Sequence, residues 1–374
     1  MSSIKYVCDP TTYFDFKKLY DLEYCNKKNL SKYIKHDYTL LKYKMDAITN
    51  KNIMTLGLFK SVILVKNQIK CISPFKSVEF DLLYNYFGDK GDFNYTFHEF
   101  VEGPMINVFH NGEEWELSTR SLIGGRGCFY KDCKMTFREM FIECMNESRL
   151  EFSHLDKDMC YSFVIQHPEN RIVKKVFEPK LYLCNVFKFE GYKVYSIDYQ
   201  KDELLKDLVL YPKSYCFDSI DDVLKYNKER YPTDYETRGI IIEYGPYRSK
   251  IENPKYNHVL ELRGNHSKPK FNFLRLWKEN KLDEFLLYFP EYIKKFNKFQ
   301  LELDEFIVLL YNSYIKYMNS KSYDECIDYE FIPHVIAMAN SRIKSDLYTT
   351  ECVMNYVKGL PTARLMFAIN FKNK

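Results

Sequence analysis

The chain has 374 residues, of which 46% are hydrophobic and 28% charged, a composition typical of globular proteins. Its formal net charge is only +4, so any surface that binds nucleic acid must be a local patch. The longest apolar runs, such as residues 306–311, are far shorter than the ~18 residues of a membrane span. The first ten residues also lack the apolar core of a signal peptide. We therefore expect a soluble, cytoplasmic protein.

The amino-acid composition leads to two further expectations, one on the source of the protein and one on its cysteines. The 33 tyrosines and 29 phenylalanines, with many Lys, Asn and Ile, indicate A/T-rich codons and hence a large DNA virus or a protist as the source. For a viral protein, the host cytoplasm or the virion is the expected location. The 11 cysteines stand singly, and the nearest pair, Cys128 and Cys133, has no second pair to complete a zinc site. We expect free thiols in a reducing compartment.

Up to about residue 265, short β-branched and aromatic runs between turn residues predict strands. These runs are 61–65, 105–109, 160–165, 181–187 and 239–243. Residues 110–113 (His-Asn-Gly-Glu) carry the Asn-Gly signal of a β-hairpin. Residues 136–149 instead have apolar side chains at helical spacing.

After residue 270 the apolar period becomes helical. The pattern is formed by Leu282, Phe285, Leu286, Phe289, Ile293 and Phe296, and then by Leu303, Phe306, Ile307, Leu310 and Tyr314. Shorter helical patterns cover 335–347 and 351–358, with Gly359 and Pro361 as a stop signal. The sequence thus predicts an α+β domain over 1–265 and a small all-α domain over 266–374, joined near 264–269.

Residues 100–121 read as a strand, a hairpin turn and a second strand ending in Ser-Thr-Arg-Ser. This segment resembles the first two motifs of the phage-type RNA ligase 1 family, in the ATP-dependent nucleotidyltransferase superfamily. There, Lys-x-Asp-Gly precedes a hairpin and a strand that ends in a basic residue beside Gly-Ser. Without a gap, Glu102 falls on the Asp, Gly103 on the Gly and Arg120 on the basic residue. Phe100 falls on the lysine.

Further segments follow the order of the family's motifs. Residues 56–59 and 73–77 resemble its Arg-Gly strand and Pro-Phe-x-Lys box, which places Lys76 near the lysine of the box. Residues 161–173 end in Asn-Arg-Ile-Val, as a strand of the family does, and residues 238–256 resemble its last two motifs. The resemblance covers roughly residues 50 to 260. It implies an α+β nucleotidyltransferase core of antiparallel, ATP-grasp-like sheets, followed by a small all-α C-terminal domain.

The resemblance also implies a chemistry that this chain departs from. In the family, a lysine amine attacks the α-phosphate of ATP, and AMP then passes to an RNA 5′-phosphate. A Phe ring at position 100 has no lone pair for this attack. Arg238 stands where the family has a glutamate that would help to hold Mg²⁺, although Glu236 is two residues away. The carboxylate of the Asn-Arg-Ile-Val strand is replaced by Ser162 or, with the gap moved, by Gln166.

The remaining family positions are expected to bind nucleotide or RNA. They are Glu102, Gly103, Arg120, Arg171 and Lys250, together with Lys255, which is displaced by three residues from a family lysine that is Glu252 here. The alternative is a structural role for each: a turn at Gly103 and surface ion pairs for the basic residues. Aromatic side chains near the motifs would either stack on bases or pack in the core. They are Phe75, Phe97, Phe100, Phe109 and Trp115.

Three functions are open at this point. The first is an active RNA ligase or nucleotidyltransferase with a relocated nucleophile, for which Lys76 is the best candidate, using ATP and Mg²⁺. The second is an RNA ligase-like protein that binds a nucleotide or single-stranded RNA ends without that chemistry. The third is a structural or adaptor protein recruited from this fold. We favour the second.

Overall fold

The computed structural model describes residues 3–12, 15–19, 21–44, 60–87, 95–129, 134–230, 233–320, 327–340 and 349–371. The chain divides into two compact units, 1–258 and 259–374, where the sequence placed the division at 265. The family-like segment 56–59 lies outside the described residues. No helix in the described part of the chain is long and apolar enough to cross a membrane.

The described strands of the first unit form three antiparallel sheets. The strands are β1 (Ile4–Cys8), β2 (Leu30–Lys35), β3 (Tyr38–Tyr43), β4 (Ser61–Val65), β5 (Gln68–Ile72), β6 (Thr96–Glu99), β7 (Met105–His110), β8 (Trp115–Ser118), β9 (Met159–Gln166), β10 (Lys180–Glu190), β11 (Lys193–Ile197), β12 (Ser214–Tyr215), β13 (Gly239–Tyr244) and β14 (Tyr247–Glu252). The large sheet has the order β1-β11-β10-β9-β7-β8, the site sheet β12-β6-β13-β14 and the flanking sheet β2-β3-β4-β5.

The described α-helices of the first unit lie between these strands in the sequence. They are α1 (Leu22–Lys27), α2 (Phe80–Phe87), α3 (Phe137–Glu147) and α4 (Ile220–Arg230), and α5 (Pro254–Arg263) begins in the same unit. Helix α3 starts at a capping box, in which Thr136 and Glu139 satisfy each other's backbone N–H groups. This confirms the helix predicted over 136–149.

The two faces of the large sheet serve two cores, because successive side chains of a strand point in opposite directions. In β9, Tyr161, Phe163 and Ile165 pack with Met140 and Phe141 of α3. The alternate residue Cys160 packs with Phe109 of β7 against Leu40 and Ile63 of the flanking sheet.

The site sheet is apolar on one face and polar on the other. Phe97, Ile240 and Ile242 belong to a core that includes Val62 and Leu64 of the flanking sheet. By the same alternation, His98, Ile241, Arg248 and Lys250 lie on the opposite face, where Ile241 is paired with Lys250. This polar face carries part of the candidate site.

All five predicted strands are confirmed, with ends shifted by three residues at most. The Asn-Gly hairpin is confirmed as well: Asn111 Oδ1 accepts the N–H groups of Glu113 and Glu114, both at 2.8 Å. Gly112 adopts a φ of +113°, which favours glycine. Eight described cysteines carry free thiols, but Cys128 is disulfide-bonded, so the expectation of free thiols is wrong at that position.

The second unit is helical, as predicted from the apolar period. Its helices after α5 are α6 (Pro269–Lys278), α7 (Leu282–Tyr288), α8 (Ile293–Ser320), α9 (Ile332–Asn340), α10 (Thr350–Gly359) and α11 (Thr362–Ile369). Phe285 stacks on Phe289 and Phe296 with ring centroids 4.7 and 5.0 Å apart, so aromatic rings form much of this core. Residues 341–348, which include the end of the helix predicted over 335–347, lie outside the described residues.

Candidate functional site

The segment from Phe100 to Pro104, here called the linking segment, carries the chain from β6 of the site sheet to β7 of the large sheet. Its ends are tied to both sheets, since Phe100 N–H donates to the Gly239 carbonyl (2.9 Å) and Ile165 N–H to the Pro104 carbonyl (3.1 Å). Gly103 has a φ of +148°, and a Cβ there would lie 2.1 Å from the Ile165 carbonyl oxygen. Only glycine allows the two backbones to approach this closely.

Phe100 and Arg238, two departures from the family pattern, are in contact. The Arg238 guanidinium carbon lies 3.8 Å from the centroid of the Phe100 ring, within the range of a cation–π interaction. Lys250 Nζ is 5.8 Å from the same centroid. The position where the family has its nucleophile therefore holds an aromatic ring covered by positive charge.

Glu102 is buried, with 5% of its surface exposed. Its Oε2 accepts the backbone N–H groups of Val173 (3.1 Å) and Lys174 (3.3 Å), and Tyr256 also hydrogen-bonds to its side chain. Burial raises the pKa of this carboxyl, although these bonds and the charge of Arg238 favour the ionised form. In this structure Glu102 connects the loop after Arg171 to the segment that holds Phe100.

Three other predicted residues lie in loops or on the first turn of a helix. Arg171 Nε donates to the Val173 carbonyl at 3.1 Å and so helps to shape the same loop. Lys255 is exposed on the first turn of α5. Glu236 is exposed in the loop before β13, where its N–H donates to Asp234 Oδ1 at 2.9 Å. Arg171 thus belongs to the loop that Glu102 binds, whereas Lys255 and Glu236 are exposed.

Lys250 and Arg120 are near the centre of the site, and a lysine that the sequence reasoning did not single out joins them. Lys60, directly before β4, is half-buried. Burial and then the charges of Arg248, Arg120, Lys250 and Arg238 lower its pKa to about 7. Its position at the start of the predicted strand 61–65 was the available signal, but its neighbours come from strands far along the chain.

Lys60 and Arg120 line a cleft of about 360 Å³. The other lining residues are Ser73, Pro104, Met105, Thr119, Ser121, Leu122, Gly127 and Phe137. The volume is within the range of small-ligand sites, which is about 300–1,000 Å³. Lys76, proposed from sequence as a relocated nucleophile, does not line this cleft.

A buried chain of polar groups runs from the cleft towards the large sheet. Ser73 Oγ lies 2.7 Å from Ser61 Oγ and accepts from Asn107 Nδ2 at 3.0 Å. Ser162 Oγ donates to Asn107 Oδ1 at 2.8 Å. Ser162, at one candidate position for the family's carboxylate, is thus held as a neutral partner of Asn107.

The side chain of Gln166, the other candidate position for this carboxylate, is also hydrogen-bonded. Its Nε2 donates to the Glu102 carbonyl at 3.1 Å. Among the described residues, no group of three or more His, Cys, Asp or Glu is placed to hold a metal ion. The residues around Arg238 therefore do not fit the magnesium site implied by the family pattern, because a guanidinium takes the place of a carboxylate.

Most of the aromatic residues near the motifs pack in cores, as the alternative interpretation held. Phe75, Phe97 and Phe109 are 3%, 3% and 0% exposed and belong to the cores of the first unit. Trp115 stacks on Phe152 with ring centroids 5.8 Å apart. Phe100 differs from these residues, since cations lie over its ring.

No family model matches this chain. A curated RNA ligase from Rhodothermus phage RM378 is 25% identical to it over 224 residues, and the match covers 50% of this chain and 50% of the phage protein. The chain thus spans about half the length of this curated relative.

Three solved structures to which the chain is similar are ligases. A putative ATP-dependent DNA ligase from Aquifex aeolicus has a TM-score of 0.41 and 12% identity, over 86% of this chain and 87% of that one. An archaeal ATP-dependent RNA ligase has a TM-score of 0.43 and 13% identity, over 92% and 86%. A Naegleria gruberi RNA ligase variant with ATP and Mn has a TM-score of 0.37 and 12% identity, over 50% and 58%. The α+β class with antiparallel sheets is confirmed by the topology of the chain itself.

Proposed function

We propose that this chain is an RNA ligase-like protein of the nucleotidyltransferase fold that binds a nucleotide or the end of a single-stranded RNA, without the lysyl chemistry of a ligase. The absence of lysyl chemistry in this proposal is supported by one observation. At position 100 the chain has a Phe ring with the Arg238 guanidinium 3.8 Å above it, so no amine is available there.

The cations of the site support binding. Arg120, Arg238 and Lys250 each act electrostatically on Lys60, which lines the cleft together with Arg120, and such a group of cations attracts phosphate. Lys250 already donates to Glu252 Oε1 at 2.6 Å, so binding by its ammonium involves exchange of that partner. Single-stranded RNA and the phosphates of a nucleotide such as ATP have the chemistry that this surface recognises.

The test is the fluorescence anisotropy of a labelled, single-stranded RNA over a series of salt concentrations. If Arg120, Arg171 and Lys250 each contact a phosphate, the logarithm of affinity should fall with the logarithm of salt with a slope of about −2. Changing each residue to Ala should weaken binding of every sequence and reduce the slope by about 0.7. Lys225→Ala, an exposed lysine on α4, is the matched control and should change neither. Binding that is insensitive to salt and to all three substitutions would remove the RNA hypothesis.

A second candidate function is an active nucleotidyltransferase with a relocated lysine. The observation in its favour is that Lys60 lines the cleft and that its pKa is lowered to about 7, which makes a neutral amine available at neutral pH. Incubation with labelled ATP and a divalent metal distinguishes the two functions. A covalent adduct that is lost in Lys60→Arg or Lys76→Arg would make the protein an enzyme, whereas no adduct is expected for the binding function.

A further inference from the structure

The cleft beside the linking segment has few ionisable groups. Among the described residues that line it, only Lys60 and Arg120 have side chains with a basic or acidic group, and the rest are apolar residues, a glycine or hydroxyl residues. An arginine stays charged at every pH at which the protein is folded. Any proton exchange within the cleft therefore involves Lys60.

Four other cations act electrostatically on Lys60. Arg248 and Lys250 come from β14, Arg238 from the residue before β13, and Arg120 from the turn after β8.

The flanking sheet contributes one more cation. Lys42 of β3 lines a small, apolar cavity together with Lys60. Glu252, the carboxylate of β14, accepts from Lys250 Nζ. Within the part of the chain that the structure describes, the Lys60 amine has no hydrogen bond and no ion pair.

This arrangement favours the neutral amine while the cleft holds no anion, because burial and like charges both disfavour the ammonium. An anion that enters the cleft reverses the balance, since an opposite charge within about 4–6 Å favours the protonated lysine. A tetrahedral dianion suits the two groups, because a guanidinium donates in a fork and an ammonium donates from a single point.

We propose that the cleft binds a phosphoryl dianion between Lys60 and Arg120, and that Lys60 Nζ takes up one proton from solvent as the anion enters. This proposal rests on the proposed function, which it deepens: the ligand is a terminal phosphate, either of an RNA or of a small molecule, and its affinity is coupled to pH. No bond in the ligand is made or broken.

The coupling between the affinity for the anion and the pH has a definite sign and size. With an empty-site pKa of about 7, Lys60 is roughly one-tenth protonated at pH 8, so binding takes up about 0.9 protons. If Lys60 is fully protonated in the complex, affinity falls about tenfold between pH 6 and pH 8. Sulfate is the probe, because it remains a dianion over this range and cannot supply the proton dependence itself.

The experiment is a calorimetric titration of the full chain with sulfate at pH 8 and constant ionic strength, in two buffers with different heats of ionisation. We expect a difference in observed heat that corresponds to uptake of about 0.9 protons. Lys60→Arg keeps a cation in place, so it should bind sulfate with no proton uptake and with an affinity that is flat from pH 6 to 8. Lys225→Arg, on exposed α4, is the control and should behave as the wild type does.

Three results would overturn the proposal: no sulfate binding, binding with equal heats in both buffers, or proton uptake that persists in Lys60→Arg. The first two are measured on the wild-type protein, so they do not depend on a variant that folds. Comparison of inorganic phosphate with 5′-phosphoryl and 5′-hydroxyl RNA identifies the source of the anion. RNA binding that depends on salt but shows no proton uptake would refute this inference and leave the proposed function standing, whereas absence of binding to both RNA and ATP would refute the latter.

Discussion

Replacing Gly103 by Ala tests whether the linking segment must pass as close to β9 as the structure shows. The new Cβ would lie 2.1 Å from the Ile165 carbonyl oxygen and 2.8 Å from Val164 Cγ1, at a φ of +148°. The backbone conformation alone costs about 1–3 kcal/mol for a residue with a Cβ. A shift that relieves the clash would also break the 3.1 Å bond from Ile165 N–H to the Pro104 carbonyl, which is worth about 1 kcal/mol. We expect a loss of about 3 kcal/mol in the free energy of unfolding.

Gly112→Ala is the matched control, because its φ is +113° but no atom lies within 4 Å of the new Cβ. It should cost about 1 kcal/mol, from backbone conformation only. Urea denaturation is followed by the fluorescence of Trp115 in a Trp277→Phe background, so that the signal reports the first unit alone. With an m-value of about 2–3 kcal/mol/M, the Gly103→Ala midpoint should fall by about 1 M or more. Equal midpoints for the two alanine variants would show that the close approach is wrong.

The remaining predictions concern catalysis, domain structure and pH. Incubated with ATP or GTP and a divalent metal, the wild type should form no acid-labile adduct, because a lysine elsewhere would have to reach the same in-line geometry and misplacement of about 1 Å can cost on the order of a hundredfold in rate. Phe100→Lys alone should also form none, because Arg238 still occupies the place of a metal-binding glutamate and would repel Mg²⁺. A wild-type adduct abolished by Lys76→Ala would contradict this expectation. Mild proteolysis should cut first near 264–269 and leave a folded N-terminal piece, and a first cut inside the sheets of the first unit would show that they are not a compact body. Lys60→Met should stabilise the protein most at pH 6 and least towards pH 10, because the folded state lowers the pKa of this lysine from 10.5 to about 7, and the cost of burying its charge therefore declines as pH rises between these two values. A gap in unfolding free energy that is constant with pH would contradict this.

Local sequence patterns were a sound guide to the elements of the fold. Strand 105–109 and helix 136–149 were predicted from side-chain period, and both are observed as Met105–His110 and Phe137–Glu147. The period of a strand or a helix follows from backbone geometry, so it is visible within a few consecutive residues. The turn at Asn111 and Gly112 was predictable for the same reason, because its chemistry is local.

The site was predictable only in part. The motif order placed Arg120 and Lys250 in one region, and both act on Lys60 in the structure. Glu102 was expected at the ligand, yet its carboxylate is occupied by the backbone of Val173 and Lys174, about seventy residues along the chain. No spacing rule within a single sequence reports such a bond, since it depends on how a distant loop returns to the linking segment.

The sequence by itself determined that an aromatic ring without a nucleophilic atom stands at position 100, within a segment that joins two strands. It also determined the alternation that gives the site sheet a polar face, because this alternation is a property of extended backbone. Only the tertiary structure decided that Arg238 covers the Phe100 ring and that Lys60 faces a cleft among four other cations. Arg238 is 138 residues from Phe100, and the four cations around Lys60 lie 60 to 190 residues from it along the chain, so their mutual charge and burial exist only once the sheets have packed.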